Sequence, residues 1–530
     1  MITKDNLNYK VLIPSAGLGT RLGEISKNLN KALVSIDNKP TISHVIEKFP
    51  QEVEIVVALG HKGDLVKDYL KMAHDDRKIT FVEVDNYRGT GSGLGYSILC
   101  CEKELQCPFV FCPNDTIVLE SIPKPFCNWM GYTNILDNTY RTLSHKNNRV
   151  SCIYEKNTIN DGLIYIGLCG IHDYRSFWKF MKEGINYGSI NIGESYGLSK
   201  IISTSNNIVP VEFTWFDTGS KQNLMQTKKH FYNKNSPEIL DKPNEAIWFV
   251  NGKVIKYFQN KEVSAQRVER AKKLPNYVPN IVKFSDNIYC YRMIKGKTLS
   301  KVIDKNLFKK FMDFSKEFWK PKNLTKEEKI QFSKKCKEFY YDKTKSRINM
   351  FFNRFNIEDE EEIINGISIP KISSLLERID WKDISNGTPT RYHGDYHFEN
   401  ILVSESGSFI MLDWRQNFAG ILDYGDVYYD LAKLYHGLIV SHELVNKNYF
   451  EIYRDDGIVS FDILRKNKLV ECEKDFLVEI EKMGFDTKKV KILTSLIFLN
   501  IAALHHEPYG EFLFYLGKYM LNGELNEKVS

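Results

Sequence analysis

The N-terminal half of the chain alternates short apolar runs with amphipathic stretches. Apolar runs bounded by turn residues predict strands, and here these are Lys10–Pro14, Val53–Leu59, Ile79–Val84 and Pro108–Cys112. Stretches with helical spacing, Ile42–Lys48 and Leu65–Met72, lie between them. This alternation predicts a parallel sheet with helices on both faces. Arg149–Tyr154 and Gly162–His172 are expected to be further strands of the same domain.

The pattern changes after Phe231. Residues 232–244 are polar and rich in turn formers, which predicts a linker. Ala246–Val250 and Lys253–Phe258 then flank Asn251-Gly252, the sequence of a two-residue hairpin turn. Residues 307–377 and the tail from Ala432 are expected to be mostly helical. A chain of 530 residues is too long for one ordinary core, so at least two domains are expected.

Composition narrows the classes of function. A hydrophobic content of 42%, 26% charged residues and a net charge of +6 fit a soluble globular protein and do not favour nucleic-acid binding. The N-terminus does not begin an apolar secretory segment, and no apolar run is long enough to span a bilayer. The ten cysteines show no CxxC pair, which favours buried free thiols. We therefore expect a cytoplasmic protein.

The first predicted site follows the first strand. Ala16, Gly17, Gly19 and Thr20 form a glycine-rich turn whose backbone N–H groups can approach phosphate closely. Arg21 and Lys31 add fixed positive charge for a triphosphate. Two carboxylates that the fold could bring together, Asp115 after a strand and Asp217 in Trp215–Ser220, are candidate Mg²⁺ ligands. Taken alone, the turn also fits an ordinary strand-to-helix connection.

Together these segments resemble the sugar-phosphate and phosphocholine nucleotidyltransferase family over about residues 1–230. The resemblance implies a Rossmann-like domain that joins an NTP to a phosphomonoester and releases pyrophosphate. It assigns Arg21 and Lys31 to phosphate binding and catalysis, and Lys156 to the acceptor phosphate. It also implies that the loop around Gly91 lies against the base, although Gly89–Gly95 superficially matches a dinucleotide fingerprint. Asn30 and Asn114 depart from the family pattern, which leaves substrate identity open.

The second predicted site lies in His393–Asn400 and Leu412–Trp414. Phosphoryl transfer needs a carboxylate to orient a hydroxyl and accept its proton, which Asp395 supplies. It also needs an amide and a second carboxylate to hold Mg²⁺, for which Asn400 and Asp413 have suitable spacing. His505 and His506 fit either a helix-end pair or the lining of an acceptor pocket.

This segment resembles the aminoglycoside phosphotransferase and choline kinase family over about residues 245–520. By matching motifs, the resemblance makes Asp395 the catalytic base and assigns Lys256 to the ATP phosphates. Asp430-Leu431-Ala432 resembles a structural element of the family and is interpreted as support for the fold. It makes Glu269 the ion-pair partner of that lysine, with Glu262 as second choice, and places Met293 near adenine. One departure is the lack of a clear glycine-rich loop before Asn251-Gly252.

We therefore expect an α/β chain in which an N-terminal Rossmann-like nucleotidyltransferase domain (1–231) precedes a protein-kinase-like α+β domain (245–530, with lobes 245–297 and 298–530). The expected function is phosphorylation of a small hydroxylated metabolite with ATP, followed by coupling of the phosphomonoester to a second NTP. CTP is the expected nucleotide, and Mg²⁺ the expected cofactor. Choline, ethanolamine, polyols and sugars are candidate acceptors, and the products are expected to feed surface polysaccharide. The alternatives are an antibiotic-modifying kinase with a vestigial N-domain and a non-catalytic regulator.

Overall fold

A computed structural model describes residues 8–205, 207–233 and 244–527. The chain divides into two compact units. The first consists of Met1–Ser264 with Val282–Met293, and the second of Ala265–Ile281 with Ile294–Ser530. Most of the predicted linker 232–244 lies outside the described residues. Residues 245–264 and 282–293 of the predicted kinase N-lobe belong to the first unit.

The first unit begins with an α/β region. Its strands are β1 (Lys10–Ser15), β2 (Ser35–Ile36), β3 (Lys39–Pro40), β4 (Glu54–Leu59), β5 (Ile79–Glu83), β6 (Phe109–Phe111), β7 (Thr116–Val118), β8 (Asn128–Thr133), β9 (Thr142–Lys146), β10 (Arg149–Tyr154), β11 (Leu163–Ile171), β12 (Ile208–Glu212) and β13 (Trp215–Asp217). Its helices are α1 (Thr41–Ile46), α2 (Gly63–Ala73), α3 (Leu94–Cys100), α4 (Tyr174–Glu183), α5 (Ser189–Ile192), α6 (Glu194–Ser205) and α7 (Lys221–His230). The strands and helices predicted from the sequence are all present, with ends shifted by at most two residues.

The main sheet is mixed rather than wholly parallel. Its strand order is β10-β9-β11-β6-β1-β4-β5, with β8 pairing β11 and β12 pairing β8. The strands β6, β1, β4 and β5 run parallel, as the sequence predicts. The strand β11 is antiparallel to β6, β8 and β9. The difference arises because the chain after β6 returns through short strand connections instead of helical crossovers.

Both faces of this sheet are buried, which explains the continuous apolar runs. Along β1, Val11 and Ile13 face one core, while Leu12 belongs to the core on the opposite face. The helices α1 and α2 contribute to the first core, and α3, α4 and α6 to the second. The carboxyl end of β1 is therefore held rigidly where the glycine-rich turn begins.

A second sheet completes the first unit. The order of its strands is β14-β15-β17-β16, from β14 (Glu245–Val250), β15 (Lys253–Phe258), β16 (Ile281–Phe284) and β17 (Ile288–Arg292). The predicted Asn251-Gly252 hairpin is present, with positive φ angles of 49° and 67°. Trp248 packs edge-on against Tyr69 of α2, with ring centroids 5.0 Å apart, and both side chains are buried. This sheet therefore shares a hydrophobic core with α1 and α2.

The second unit is mainly helical. Its helices, with α8 entering from the first unit, are α8 (Lys261–Lys273), α9 (Leu299–Val302), α10 (Lys305–Phe318), α11 (Lys326–Lys337), α12 (Lys343–Phe355), α13 (Ile372–Glu377), α14 (Trp381–Ile384), α15 (Val427–Ile439), α16 (His442–Asn446), α17 (Asn467–Lys482), α18 (Thr487–Ala502) and α19 (Tyr509–Asn526). Its strands are β18 (Gly296–Thr298), β19 (Glu362–Ile364), β20 (Ile367–Ile369), β21 (Pro389–Thr390), β22 (Ile401–Ser404), β23 (Phe409–Met411), β24 (Gly425–Asp426), β25 (Phe450–Asp455) and β26 (Ile458–Ile463).

Two hairpins interrupt the regions that were expected to be helical. The hairpin β19–β20 turns at Asn365-Gly366, and β25–β26 turns at Asp456-Gly457. All four turn residues have positive φ, as a tight two-residue turn requires. Residues 307–377 are mostly helical, as expected, except at residues 362–369, where the Asn-Gly turn closes a hairpin instead.

Two further sequence-based expectations concern the whole chain. The ten cysteines are free thiols, as expected, but only six of them are buried, and Cys100, Cys107, Cys127 and Cys152 are half-buried. Across the described ranges, no helix combines the length and the apolar character needed to cross a bilayer.

Candidate active sites

A cleft of about 400 Å³ opens at the carboxyl ends of β1 and β6 in the first unit. Its lining includes seven of the residues predicted from the sequence, namely Ala16, Gly17, Arg21, Lys31, Asp115, Lys156 and Asp217. Of the other predicted residues, Gly19 adopts a left-handed φ of 70° and Thr20 begins a short 3₁₀ helix, so both shape the turn beside the cleft. Gly91, also with positive φ, lies next to the lining residues Ser92 and Gly93.

The two unusual asparagines hold the walls of this cleft. The buried Asn30 donates to the carbonyl oxygens of Ser15 (2.9 Å) and His61 (2.6 Å), and its side chain accepts from Ala32 N–H. It thereby fixes the short helix that begins at Lys31. Asn114, also buried, donates to Pro14 O and Ser15 Oγ, both at 3.0 Å. Asn30 and Asn114, which depart from the family pattern, therefore stabilise the chain at the end of β1.

Pairing of β13 with β7 brings the two predicted metal ligands together. Asp217 stands opposite Thr116 in this antiparallel pair, and Asp115 immediately precedes Thr116. Asp217 Oδ2 accepts from Tyr140 Oη at 2.9 Å and from Asn223 Nδ2 at 2.5 Å. Its Oδ1 accepts from Gly219 N–H at 2.8 Å. These bonds lock the Asp217 carboxylate beside the cleft.

The space around Gly219 shows how closely the charged groups converge. A Cβ atom added there would lie 2.8 Å from Arg21 Nη2, 3.0 Å from Asp217 Oδ1 and 3.1 Å from Asp115 Oδ2. Two carboxylate oxygens with a guanidinium at one small gap form a donor set that fits a divalent ion bound together with phosphate. Among the described residues, no group of three or more His, Cys, Asp or Glu side chains could hold a metal alone.

Electrostatics couple the lysines to these carboxylates. Lys31 Nζ lies 3.0 Å from Asp115 Oδ2. Burial opposes ionisation of Asp115, but Lys31 and then Arg21 hold its pKa below the ordinary value. Burial, followed by Arg21 and Arg141, lowers the pKa of Lys156, while Asp115 and Asp217 oppose that shift. The cleft therefore contains closely spaced charges of both signs.

Several lining residues were not found from the sequence. They are Tyr87, Tyr140, Arg141, Tyr165, Glu194 and Trp215. Gly93 and Gly95 also have a role that the motif did not indicate, because added Cβ atoms would lie 2.3 Å from Ile190 O and 1.9 Å from Ser189 O. These glycines allow α3 to pack closely against α5. Isolated aromatic or charged residues carry no motif, so no pattern in one sequence identifies them.

The second unit brings Asp395, Asn400 and Asp413 to one loop cluster. Asn400 Nδ2 donates to Asp395 Oδ2 at 3.1 Å. The strands β22 and β23 pair Ile401 with Met411, and Leu412 N–H donates to Asn400 O at 2.7 Å. Asp413 follows directly, with a positive φ of 57°, and its Oδ1 lies 3.0 Å from Arg267 Nη1. The predicted base and the two predicted ligands are therefore neighbours.

Asp395 carries an unpredicted partner, Lys433 of α15. Lys433 Nζ lies 3.0 Å from Asp395 Oδ1, and His397 Nε2 lies 3.6 Å from Oδ2. Burial opposes ionisation, but Lys433 and His397 hold the pKa of Asp395 well below its ordinary value. Burial lowers the pKa of His397, but Asp395 and Glu399 together raise it to about 9. The carboxylate is therefore ionised at neutral pH.

Asp430 supports the loop that carries Asp395. Its carboxylate accepts from the N–H groups of His393 and Gly394, both at 2.7 Å, and from Trp319 Nε1 at 3.2 Å. Burial raises the pKa of Asp430 to about 6, although these donors oppose the shift. This arrangement agrees with the interpretation of Asp430 as a structural residue.

We expect Asp430→Ala to destabilise the second unit. Three donors would lose their acceptor inside a buried region, which costs about 1–3 kcal/mol for each unsatisfied group, with partial relief by water. Denaturant unfolding followed by far-UV circular dichroism should show a transition at a lower denaturant concentration. The free energy of unfolding should fall by about 3 kcal/mol. The surface change Asp313→Ala is the control, because Asp313 is exposed on α10. Identical unfolding of Asp430→Ala and wild type would contradict the proposed role.

The remaining predicted kinase residues lie in both units. Lys256 is buried in β15, and Met293 follows β17 with its N–H bonded to Gly252 O at 2.8 Å. Glu269 is exposed on α8 and forms an ion pair with Lys272, while Glu262 lies in the first turn of that helix. The assignments of these residues to ATP binding stay predictions. Beyond the last helical residue of α18, His505 and His506 lie in an irregular segment.

The comparisons with known proteins concern both halves of the chain. Residues 362–459 match the model of the phosphotransferase enzyme family. The bifunctional protein GlmU of Methanococcus maripaludis is 25% identical over 256 residues, covering 46% of this chain and 59% of the relative. The choline-phosphate cytidylyltransferase of Streptococcus pneumoniae is 31% identical over 103 residues, covering 19% of this chain and 42% of the relative.

Among solved structures, the CTP:phosphocholine cytidylyltransferase of Streptococcus pneumoniae is 18% identical, with a TM-score of 0.36 over 43% of this chain and 100% of that chain. The chain spans about half the length of the curated relatives it matches. The fold class predicted from the sequence is confirmed. The chain therefore joins an N-terminal part similar to nucleotidyltransferases to a C-terminal part in which residues 362–459 match the phosphotransferase enzyme family model.

Proposed function

We propose that the chain is a bifunctional transferase. Its C-terminal kinase site phosphorylates a small hydroxylated compound with ATP, and its N-terminal site couples the phosphomonoester to CTP with release of pyrophosphate. The observation that carries this proposal is the convergence of Arg21, Asp115 and Asp217 around Gly219, in a cleft also lined by Lys31 and Lys156. Similarity to a choline-phosphate cytidylyltransferase supports CTP as the nucleotide. A nucleotide-activated precursor of surface polysaccharide is the proposed product.

In the first site, Arg21 and Lys31 bind the triphosphate, and Lys156 orients the acceptor phosphate. An oxygen of that phosphate forms a bond to the α-phosphorus of CTP, and the bond to the bridging oxygen of pyrophosphate breaks. Asp115 and Asp217 would hold Mg²⁺, which supplies charge stabilisation at the α-phosphate. The lysine and arginine charges neutralise the negative charge that develops in the transition state.

In the second site, Asp395 orients the acceptor hydroxyl and accepts its proton as the oxygen bonds to the γ-phosphorus of ATP. The bond between the γ-phosphorus and the β–γ bridging oxygen breaks, and ADP leaves. Asn400 and Asp413 would hold Mg²⁺, which neutralises the phosphate oxygens. Because Asp395 is ionised at neutral pH, it can accept a hydrogen bond from the hydroxyl before transfer begins.

The test is the order of the two reactions. Wild type supplied with candidate acceptors, ATP and CTP is expected to release ADP and pyrophosphate and to form a CDP-linked product, identified by mass spectrometry. With each phosphomonoester supplied directly, pyrophosphate release should no longer require ATP. A first site that accepts phosphomonoesters chemically unrelated to the kinase products would overturn the sequential scheme.

We expect Gly219→Ala to impair the first site selectively. The added methyl group would displace Arg21, Asp115 or Asp217, all within 3.1 Å of its position. A displacement of about 1 Å in an active site lowers rates by about 10²-fold, so pyrophosphate release should fall by that order while ADP formation persists. Gly523→Ala is the matched control, because its methyl group would meet open space. Full pyrophosphate release by Gly219→Ala would refute the importance of this convergence.

A further inference from the structure

Three basic side chains from separate elements lie around Asp395 in the second unit. Lys433 of α15 bonds to Asp395 Oδ1 at 3.0 Å. The ammonium group of Lys343, the first residue of α12, lies 4.5 Å from the centroid of the Phe339 ring. The guanidinium of Arg415, two residues after Asp413, lies 5.0 Å from the centroid of the same ring. Both groups therefore lie near the same ring, and the charges of Arg415 and Asp395 act on Lys343.

The position of Arg415 is fixed by that loop. Arg415 N–H donates to His393 O at 2.9 Å, and a Cβ atom added at Gly394 would lie 2.5 Å from Arg415 Cβ. Arg415 Nε donates to Asn417 O at 3.2 Å. Gly394 immediately precedes Asp395, so the guanidinium stem lies directly against the segment that carries the predicted base.

Two of these three cations lack an anionic partner. Within residues 8–205, 207–233 and 244–527, no Asp or Glu oxygen lies within 4.0 Å of Lys343 Nζ or the Arg415 guanidinium. Burial, followed by Arg415 and Lys433, lowers the pKa of Lys343 well below its ordinary value, although Asp395 opposes the shift. The positive charges of Arg415 and Lys433 disfavour the charged form of Lys343, and the nearby Asp395 carboxylate is already paired with Lys433. A bound anion would relieve this repulsion.

We infer that the acceptor of the kinase site is itself an anion, a hydroxy compound that carries a carboxylate or phosphate group bound by Lys343 and Arg415. This inference rests on the proposed kinase function of the second unit. Lys433 acts as a positioning residue that holds the Asp395 carboxylate toward the acceptor hydroxyl. Choline and ethanolamine, two candidates from the sequence, would place an ammonium group beside Lys343 and Arg415, the two basic groups without an ion-pair partner among the described residues, and like charges are repulsive.

The same cations could instead serve the transferred phosphoryl group of ATP, and the two roles have different consequences. Contacts to the phosphoryl group would raise kcat/KM equally for every acceptor, and they would also raise the rate of ATP hydrolysis without acceptor. Contacts to an anionic group of the acceptor would raise kcat/KM only for acceptors that carry such a group. The ratio of kcat/KM for anionic and neutral acceptors therefore separates the roles.

The experiment uses the full chain with ATP and four matched acceptors: glycerol, D-glycerate, sn-glycerol 3-phosphate and choline. ADP formation is measured for wild type, for Lys343→Gln and for Lys345→Gln, an exposed lysine two residues along the same helix. We expect wild type to favour one of the two anions over glycerol by about 10²-fold in kcat/KM. D-glycerate and glycerol 3-phosphate distinguish carboxylate from phosphate recognition. Lys343→Gln should reduce the preference to about 10-fold or less, whereas Lys345→Gln should retain it.

The outcomes are distinguishable. A lower ratio of kcat/KM for the anionic over the neutral acceptors in Lys343→Gln than in Lys345→Gln supports the inference. Equal or better turnover of glycerol or choline by wild type overturns it while leaving the proposed kinase function intact. An equal loss for all acceptors in Lys343→Gln also overturns it, in favour of the phosphoryl group. No ADP formation with any acceptor overturns the proposed kinase function and this inference with it.

Discussion

Asp115→Asn is expected to abolish pyrophosphate release while ADP formation continues. The substitution keeps the size of the side chain but removes the charge that pairs with Lys31 at 3.0 Å. It also removes one of the two carboxylates that converge near Gly219. Loss of one such group in phosphoryl chemistry typically lowers the rate by about 10²–10³-fold. Pyrophosphate release with CTP and the matching phosphomonoester is the measurement.

The control for this variant is Asp64→Asn, which alters an exposed carboxylate in the first turn of α2. It should retain wild-type pyrophosphate release. The local fold should persist because the neighbouring Asn114 still donates its hydrogen bond to Pro14 O. Circular dichroism checks that the variant is folded. Undiminished pyrophosphate release by Asp115→Asn would show that the cleft is not the nucleotidyltransferase site.

The second large effect is expected for Asp395→Asn. The amide retains the shape of the side chain but cannot accept a proton, so ADP formation with the true acceptor should fall by about 10²–10⁴-fold. Lys433 would lose its ionic partner, and the hydrogen bond from Asn400 would be weakened. ATP affinity, measured by equilibrium binding, should persist because Asp413 and Asn400 remain.

In the complete reaction, Asp395→Asn should form the CDP-linked product only when the phosphorylated acceptor is supplied. The matched surface change is Asp313→Asn on α10, which should behave as wild type. Phosphorylation by Asp395→Asn at the wild-type rate would remove Asp395 from the mechanism and require another base.

The sequence predicted those features that depend on local chemistry. The alternating apolar runs located β1, β4, β5 and β6, because strands buried on both faces must be apolar throughout. The Gly-rich turn and the spacing of Asp395, Asn400 and Asp413 identified both candidate sites, because each motif lies in a short segment. The antiparallel course of β11 was missed, since its register depends on distant partners.

Residues that reach a site from distant elements were also missed. Lys433 follows Asp430-Leu431-Ala432, but nothing in that local pattern shows that its ammonium group meets Asp395. Glu194 and Arg141 likewise line the first cleft from separate elements without a recognisable motif. Conversely, Asn30 and Asn114 looked like departures at the site, whereas their hydrogen bonds show structural roles at the end of β1. Tertiary packing decides such roles.

The sheet β14-β15-β17-β16 has a consequence for dissecting this protein into fragments. Trp248 and Tyr257 belong to the same core as Tyr69 and Leu70 of α2, and Lys253 Nζ lies 2.5 Å from Asp75 Oδ1. A fragment that stops at residue 231 would expose this face, and each uncovered large apolar side chain would forfeit about 1.5–3 kcal/mol. Such a fragment is expected to aggregate, whereas one extended to Met293 keeps the shared core intact. Cutting this chain within residues 232–244 would therefore expose that face, whereas a cut after Met293 would not.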